Sequence, residues 1–159
     1  MIEYAVNEPN TLDVEEVLSF LKETDHLVIP ALSVLVNLED HAKKLTSKAV
    51  VFTARDSGCL VGMTAIYFNK APGYSYSTYN MVKREYQLTE MVGVELSNMV
   101  GDYIYSNGSA GIRFECRKSN KALVKFHLRN GAKIIGESTY PGTDVVSVQM
   151  EITFNKVPG

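Results

Sequence analysis

Two apolar runs, joined by a short turn, dominate the middle of the chain. They are Ala49–Arg55 (AVVFTAR) and Cys59–Asn69 (CLVGMTAIYFN), with Asp56-Ser57-Gly58 between them. The runs are rich in β-branched and aliphatic residues, and the turn sequence favours a hairpin. Strands that are apolar almost throughout need cover on both faces. The chain is therefore expected to build a sheet with helices packed on it.

The remaining apolar residues alternate between helical and strand spacing. Pro9, Asn10 and Thr11 break the first strand and offer an N-cap for a first helix. A helix over Ser119–Asn130 is predicted to turn Leu123 and Phe126 inward. The predicted elements are strand Ile2–Val6, helices Val14–Leu21 and Leu35–Leu45, strands Ala49–Arg55, Cys59–Asn69 and Tyr74–Val82, helix Thr89–Asn107, strand Ala110–Arg117, helix Ser119–Asn130, and strands Ala132–Ser138 and Val146–Phe154. This order, β-α-α-β-β-β-α-β-α-β-β, predicts a mixed α/β sheet in one domain over residues 1–159.

The composition argues against several classes of protein. A chain of 159 residues with 45% hydrophobic residues fits one compact domain. Sixteen Lys and Arg against eighteen Asp and Glu argue against nucleic-acid binding through a basic surface. The sequence predicts no export signal and no apolar run of the ~18 residues that cross a membrane. Cys59 and Cys116 lack a CxxC spacing, which suits a reducing cytoplasm, and the three histidines show no metal-binding spacing.

Two segments resemble sequence motifs of one enzyme family. Asn120–Gly131 (NKALVKFHLRNG) is similar to the N-x-x-A-x-x-x-Y-x-x-x-G segment of the GNAT family of N-acetyltransferases. Met81–Leu96 (MVKREYQLTEMVGVEL) resembles the end of that family's fourth strand and the helix that follows. The resemblance implies the acyl-CoA N-acyltransferase fold. It also implies transfer of an acetyl or short acyl group from acetyl-CoA to a primary amine of a small molecule or protein.

The resemblance further implies where acetyl-CoA is held. In the family, a Q/R-x-x-G-x-G/A loop and the N-terminus of the next helix bind the pyrophosphate, because backbone N–H groups and the helix dipole attract anions. A backbone N–H near Met81 or Val82 would stabilise the oxyanion. The residues carried over to cofactor binding are Met81, Val82, Gln87, Leu88, Thr89, Glu90, Met91, Val92, Gly93 and Asn120.

The loop departs from the family motif at both glycine positions. If Gln87 starts the motif, Glu90 and Val92 replace the glycines. A carboxylate would then face a diphosphate, and two side chains would occupy ligand space. Thr89 could cap the helix and satisfy its N–H groups internally. A shift of one residue would instead bring Gly93 to the last small position.

Two residues are candidates for proton transfer. His127 stands where many family members have a tyrosine that protonates the departing thiolate, and an imidazolium can donate a proton near neutral pH. Glu85 could deprotonate the incoming amine directly or through water. The alternative interpretations are an ordinary surface histidine and a solvated turn carboxylate.

Four further side chains have both a structural and a functional interpretation. Tyr74, Tyr76 and Tyr79 could line an acceptor pocket, or they could pack in the sheet. Cys116 could act as a nucleophile only with a stabilised thiolate, so a buried inert thiol is expected.

Two functions stay open on the sequence. The protein is either an acetyltransferase or a degenerate GNAT-fold domain that binds a small molecule or protein without catalysis. Loss of the loop glycines favours the second function, whereas Asn120 and Glu85-Tyr86-Gln87 favour the first. The expected partner is a small-molecule amine, with neither nucleic acid nor membrane. The final strand could pair across a homodimer if it lies at a sheet edge.

Overall fold

The computed structural model describes residues 1–87 and 91–154. Strands and helices alternate along these residues in nearly the predicted order, with one added short helix. The elements are β1 (Ile2–Asn7), α1 (Val14–Thr24), α2 (Leu32–Leu35), α3 (Leu38–Lys48), β2 (Val50–Asp56), β3 (Cys59–Tyr67), β4 (Ser75–Val82), α4 (Val92–Ser106), β5 (Gly111–Arg117), α5 (Lys121–Arg129), β6 (Lys133–Thr139) and β7 (Val146–Thr153). Two 3₁₀ turns follow α1 and β4, at Asp25–Leu27 and Arg84–Tyr86.

The first compact unit comprises Met1–Tyr67 and Thr78–Tyr103. β1 pairs antiparallel with β2, and β2 pairs antiparallel with β3. Residues of α1 and α3 bury one face of these strands together with Val51, Met63 and Met81. On the other face, Phe52 of β2 meets Tyr103 of α4 at a ring-centroid distance of 5.6 Å. The hairpin predicted from its two apolar runs is thus covered on both faces.

The cap of α1 differs from the sequence prediction. Asp13, and not Thr11, caps the helix: its carboxylate accepts the N–H of Glu15 at 3.1 Å. The Thr11 hydroxyl instead donates to the carbonyl of Glu8 at 2.6 Å. The helix therefore begins later than the first available capping residue.

The second unit comprises Phe68–Ser77 and, within the described chain, residues 104–154. β5 pairs antiparallel with β7, and β7 pairs antiparallel with β6 across a bulge near Ile134. β4 pairs in parallel with β5 through Ser75↔Ile112 and Tyr76↔Arg113. One face of β5 and β7 is apolar, and α5 covers it.

The orientation of α5 corrects a sequence prediction. Val124 packs inward against a cluster that contains Cys116, Val148 and Met150. Phe126, which was expected to point inward, is 53% exposed, and Leu123 is exposed as well. A short helix buries only one narrow stripe of side chains. Because Val124 lies on the buried stripe, Leu123 and Phe126 lie outside it.

The strand order is β1-β2-β3-β4-β5-β7-β6. Antiparallel and parallel neighbours occur together, so the predicted mixed α/β fold is confirmed. The final strand β7 lies between β5 and β6, so it does not have the sheet-edge position on which the predicted homodimer pairing depended. A single domain over residues 1–159 stays a prediction. Among the described residues, no helix is long and apolar enough to cross a membrane.

Candidate functional site

The end of β4 presents its last two side chains to opposite faces of the first unit. Met81 is buried in the core formed with α1 and α3. Val82 lies on the other side, toward Gly62 of β3 and the start of α4. The N–H of Lys83 then donates to the carbonyl of Val61 at 2.8 Å, which holds the end of the strand on β3.

The chain folds back on itself directly after β4. Tyr86 donates its hydroxyl to the Asp56 carboxylate at 2.6 Å, and the side-chain amide of Gln87 donates to the carbonyl of Val82 at 2.9 Å. Gln87, the predicted first residue of the pyrophosphate loop, is therefore anchored to the end of β4. The predicted loop residues Leu88, Thr89 and Glu90 lie outside the described residues.

The start of α4 turns its first side chain inward. Val92 is 0% exposed, and its Cγ1 lies 2.9 Å from the position that a Cβ on Gly62 would take. The sequence predicted that this side chain would occupy ligand space, but it points into the unit instead. Met91 precedes it with a positive φ of 53° and an exposed side chain. The backbone of Val92 and Gly93 thus follows a sharp local turn.

The start of α4 has backbone features that attract anions in general. The first N–H groups of a helix have no partner within the helix, and this helix is 15 residues long, so its N-terminus carries a dipole that attracts anions. Gly93 adds no side chain near that terminus. Glu95 opposes an anion from the first turn, but it is exposed and so is screened by solvent.

Glu85 lies beside a cavity of about 410 Å³ in the first unit. The side chain is exposed within the 3₁₀ turn that follows β4. Across the cavity, Lys83 and Glu23 form an ion pair at 2.7 Å. The cavity is lined by Glu23, Thr24, His26, Leu27, Lys83, Arg84 and Glu85. Its carboxylates and cations balance, so it carries no surplus of negative charge.

The second unit holds the other two predicted site residues on one helix. Asn120 caps α5, and its side-chain oxygen accepts the N–H of Leu123 at 3.2 Å. His127 lies two turns further on and is half-buried, with its ring centroid 4.6 Å from that of Phe114 on β5. Burial lowers the pKa of His127 below the usual value of 6.5. The imidazole is therefore mostly neutral at neutral pH.

A carboxylate that the sequence analysis did not select occupies the opposite face of β5. Glu115 accepts the hydroxyl of Ser147 at 2.9 Å, and Ser147 is 1% exposed. Burial, and then the charge of Glu115, raise the pKa of Tyr76. The sequence signal for Glu115 was the alternation of Arg113, Glu115 and Arg117 along an interior strand. Charged side chains are rare in interior strands unless they are paired or functional.

The remaining candidates have structural partners. Tyr79 is buried, contacts the Thr24 hydroxyl at 3.2 Å, and has its pKa raised by burial to about 12. Tyr74 lies 4.3 Å from the guanidinium of Arg113. Cys116 is buried, and burial raises the pKa of its thiol. The expectation of an inert cysteine is consistent with this environment.

Comparisons with known proteins identify the fold. No family model matches the sequence, and no curated protein sequence matches it. The ribosomal-protein-S18-alanine N-acetyltransferase of Escherichia coli superposes with a TM-score of 0.78 at 17% identity, covering 99% of this chain and 97% of its own. An N-acetyltransferase of Staphylococcus aureus Mu50 gives 0.74 at 16% identity, with 96% and 97% covered.

A third similar structure was solved with a bound ligand. A candidate streptothricin acetyltransferase of Bacillus anthracis, solved with acetyl-CoA, gives a TM-score of 0.56 at 20% identity. The match covers 77% of this chain and 68% of that one. At these identities the likeness establishes the fold, which is the acyl-CoA N-acyltransferase fold of the GNAT family.

Proposed function

We propose that this protein is an N-acetyltransferase that moves an acetyl group from acetyl-CoA to a primary amine. The observation that carries the proposal is the start of α4. There the side chain of Val92 points inward against Gly62, so it does not occupy the solvent side of the helix start. The inward position of Val92 supports a working pyrophosphate site over the degenerate loop that Glu90 and Val92 suggested in the sequence. The fold and the Asn120–Gly131 motif support the same assignment.

Acetyl-CoA would supply an activated thioester, whose carbonyl oxygen gains charge when the amine attacks. Successive N–H groups of a strand point to opposite sides. Since the N–H of Lys83 donates to β3 at Val61, the N–H of Met81 points the same way and that of Val82 points away from β3. Of the two predicted oxyanion donors, we therefore assign Val82.

Two carboxylates compete for the role of base. Glu85, the sequence candidate, lies on an exposed turn in the first unit. Glu115 is exposed on the face of β5 opposite to Phe114 and His127, and its carboxylate accepts the hydroxyl of the buried Ser147. A base held by a hydrogen bond to a buried residue is better oriented than a carboxylate on an exposed turn. We assign deprotonation of the amine to Glu115 and protonation of the thiolate to His127.

The assignment of the base is tested by a matched pair of substitutions. Glu115→Gln is expected to lower kcat by about 10²-fold or more, because a positioned base contributes that much. The Kd of acetyl-CoA should stay unchanged. Glu85→Gln is the control and should retain most of the turnover. The reverse ranking would return the role to Glu85.

The cavity beside Glu85 supports a small acceptor with a single positive charge. Its carboxylates, Glu23 and Glu85, are matched by Lys83 and Arg84, so a polycationic amine would find no surplus of negative charge. A panel of monoamines and polyamines measures this preference through kcat/KM. The free thiols Cys59 and Cys116 support a cytoplasmic location.

We infer that the edge strand β6, rather than β7, pairs two copies of the chain. It exposes Ile134 and Ile135. Antiparallel pairing about Ile135 would set Lys133 opposite Glu137 of the partner subunit, and the reverse, which is charge-complementary. Light scattering should give a dimer for the parent and a monomer for Ile135→Lys. Ile29→Lys, at an exposed position of the first unit, is the control. A monomeric parent would end this inference.

Ligand-induced stabilisation tests the proposed function itself. Acetyl-CoA at ~100 times its Kd should stabilise the fold by about 2.7 kcal/mol, which raises the melting temperature by several degrees. Thiol release with an amine acceptor should then follow. No shift at millimolar acetyl-CoA would contradict the proposal and favour the binding module. A shift without turnover on any amine would favour a domain that binds coenzyme A without catalysis.

A further inference from the structure

Any side chain at Gly62 of β3 would clash with a neighbouring helix. A Cβ on Gly62 would lie 2.9 Å from Val92 Cγ1 and 3.2 Å from Leu96 Cδ1. Both neighbours belong to the first two turns of α4, and both are 0% exposed. Because Gly62 has no side chain, the start of α4 can pack into the space beside it.

The backbone at Gly62 does not itself call for glycine. Its φ is not in the left-handed region, unlike that of Gly58 or Gly111. A bulge lies nearby, between Ala54 and Arg55 in the register of β2 with β3, but a bulge that depends on glycine uses a positive φ. The need for glycine at this position is therefore steric, and it comes from α4.

We propose that Gly62 is a positioning residue for acetyl-CoA binding, because it admits the Val92 side chain and so sets the first turn of α4. This rests on the proposed function. The family motif has a small residue at position 92, next to the ligand. In this chain the large side chain at that position is accommodated by a small residue on the neighbouring strand. Val92 can then point inward, and the N–H groups of the first turn keep their place.

The neighbours of Gly62 cannot yield easily to an added methyl group. Val92 is β-branched and has one strongly preferred rotamer in a helix. Leu96 lies one turn further along the same face. A Cβ at Gly62 would therefore clash with both Val92 and Leu96. Because both residues belong to α4, the start of the helix would have to shift, and a change in one side chain would not relieve the clash. Val82 Cγ2, at 3.5 Å from the same position, limits movement toward β4.

Gly62→Ala tests the proposal through binding of acetyl-CoA, measured by calorimetry. The expected result is a Kd raised about tenfold or more, together with a lower melting temperature. Gly62→Ala with Val92→Ala restores the space and should bring the Kd back to within about threefold of the parent. Gly101→Ala is the control, since a Cβ at this position of α4 meets nothing within 4 Å.

A further variant guards against loss of folding. Val92→Ile adds a methyl group from the α4 side, so it should weaken binding in the same direction while Gly62 stays intact. Unchanged affinity in both Gly62→Ala and Val92→Ile, with the parent binding acetyl-CoA, would overturn the positioning role alone. Failure of the double variant to recover binding would overturn it as well. A parent that does not bind acetyl-CoA would overturn the proposed function and, with it, this role.

Discussion

Burial against aromatic rings decides when His127 can act as an acid. The rings of Phe114 and Phe126 lie 4.6 and 5.5 Å from it, and burial lowers its pKa below 6.5. The protonated fraction therefore falls as the pH rises through a value below 6.5. His127→Tyr introduces a phenol that keeps its proton until pH ~10. The ratio of kcat for this variant to kcat for the parent is expected to rise between pH 6 and pH 8.5.

The control for this prediction is His127→Phe, which keeps an aromatic ring against Phe114 but carries no proton. At pH 6 it should lower kcat by about 10²-fold, in keeping with the usual contribution of a general acid. The Kd of acetyl-CoA should change little. Equal activity of His127→Phe and the parent at every pH would remove His127 from the mechanism.

Single residues also mark where sequence reasoning fails. His127 and Asn120 could be found because a motif in one segment specifies them. The direction of Val92 could not, since it depends on Gly62, which lies in a distant strand and reads as an ordinary strand residue. Glu115 was missed for a related reason. Glu115 becomes a candidate base only because of its contacts with the buried Ser147 and with Tyr76, which belong to two other strands.

At the scale of elements, Asn120 has two separable tasks on α5. Its side-chain oxygen caps the helix through the N–H of Leu123, and its NH₂ group is a hydrogen-bond donor that could serve acetyl-CoA. Asn120→Ala should cost about 1 kcal/mol of folding stability, the usual value for a lost cap. Asn120→Asp keeps the cap and should retain the parent melting temperature.

The same pair of variants separates cap from cofactor binding. Asn120→Asp removes the donor and adds a negative charge near an anionic ligand, so it is expected to raise the Kd of acetyl-CoA severalfold. Calorimetry on both variants measures this. If Asn120→Asp binds acetyl-CoA as tightly as the parent, Asn120 serves the helix alone.

Element type could be predicted from sequence more fully than element orientation. The apolar spacing located every strand of the described chain to within a few residues. The inward stripe of α5 was misjudged, because Val124, Leu123 and Phe126 are all apolar and only the cluster below the helix selects among them. The edge position of β6 likewise depends on strand order, which local spacing does not encode.

For the whole molecule, His41 is expected to make the stability of the fold sensitive to mild acid. Its Nε2 is buried without a hydrogen-bond partner, and burial, followed by the charge of Lys44, lowers its pKa below 6.5. The unfolded chain binds this proton more readily, so stability rises with pH in this range. The contribution of His41 is complete above pH ~6.5 and is lost as the pH falls through the lower folded value.

His41→Phe isolates this contribution because it keeps a ring beside Tyr79, whose centroid lies 6.2 Å away, and removes the titration. The melting temperature should fall less between pH 7 and pH 5 in this variant than in the parent. His26→Phe, which replaces a histidine at an exposed site, is the control. Arg partners lower the pKa values of Glu16 and Glu151 from 4.5. The stability that these two carboxylates contribute is therefore lost at a lower pH than the contribution of His41. An unchanged slope in His41→Phe would contradict this role of His41.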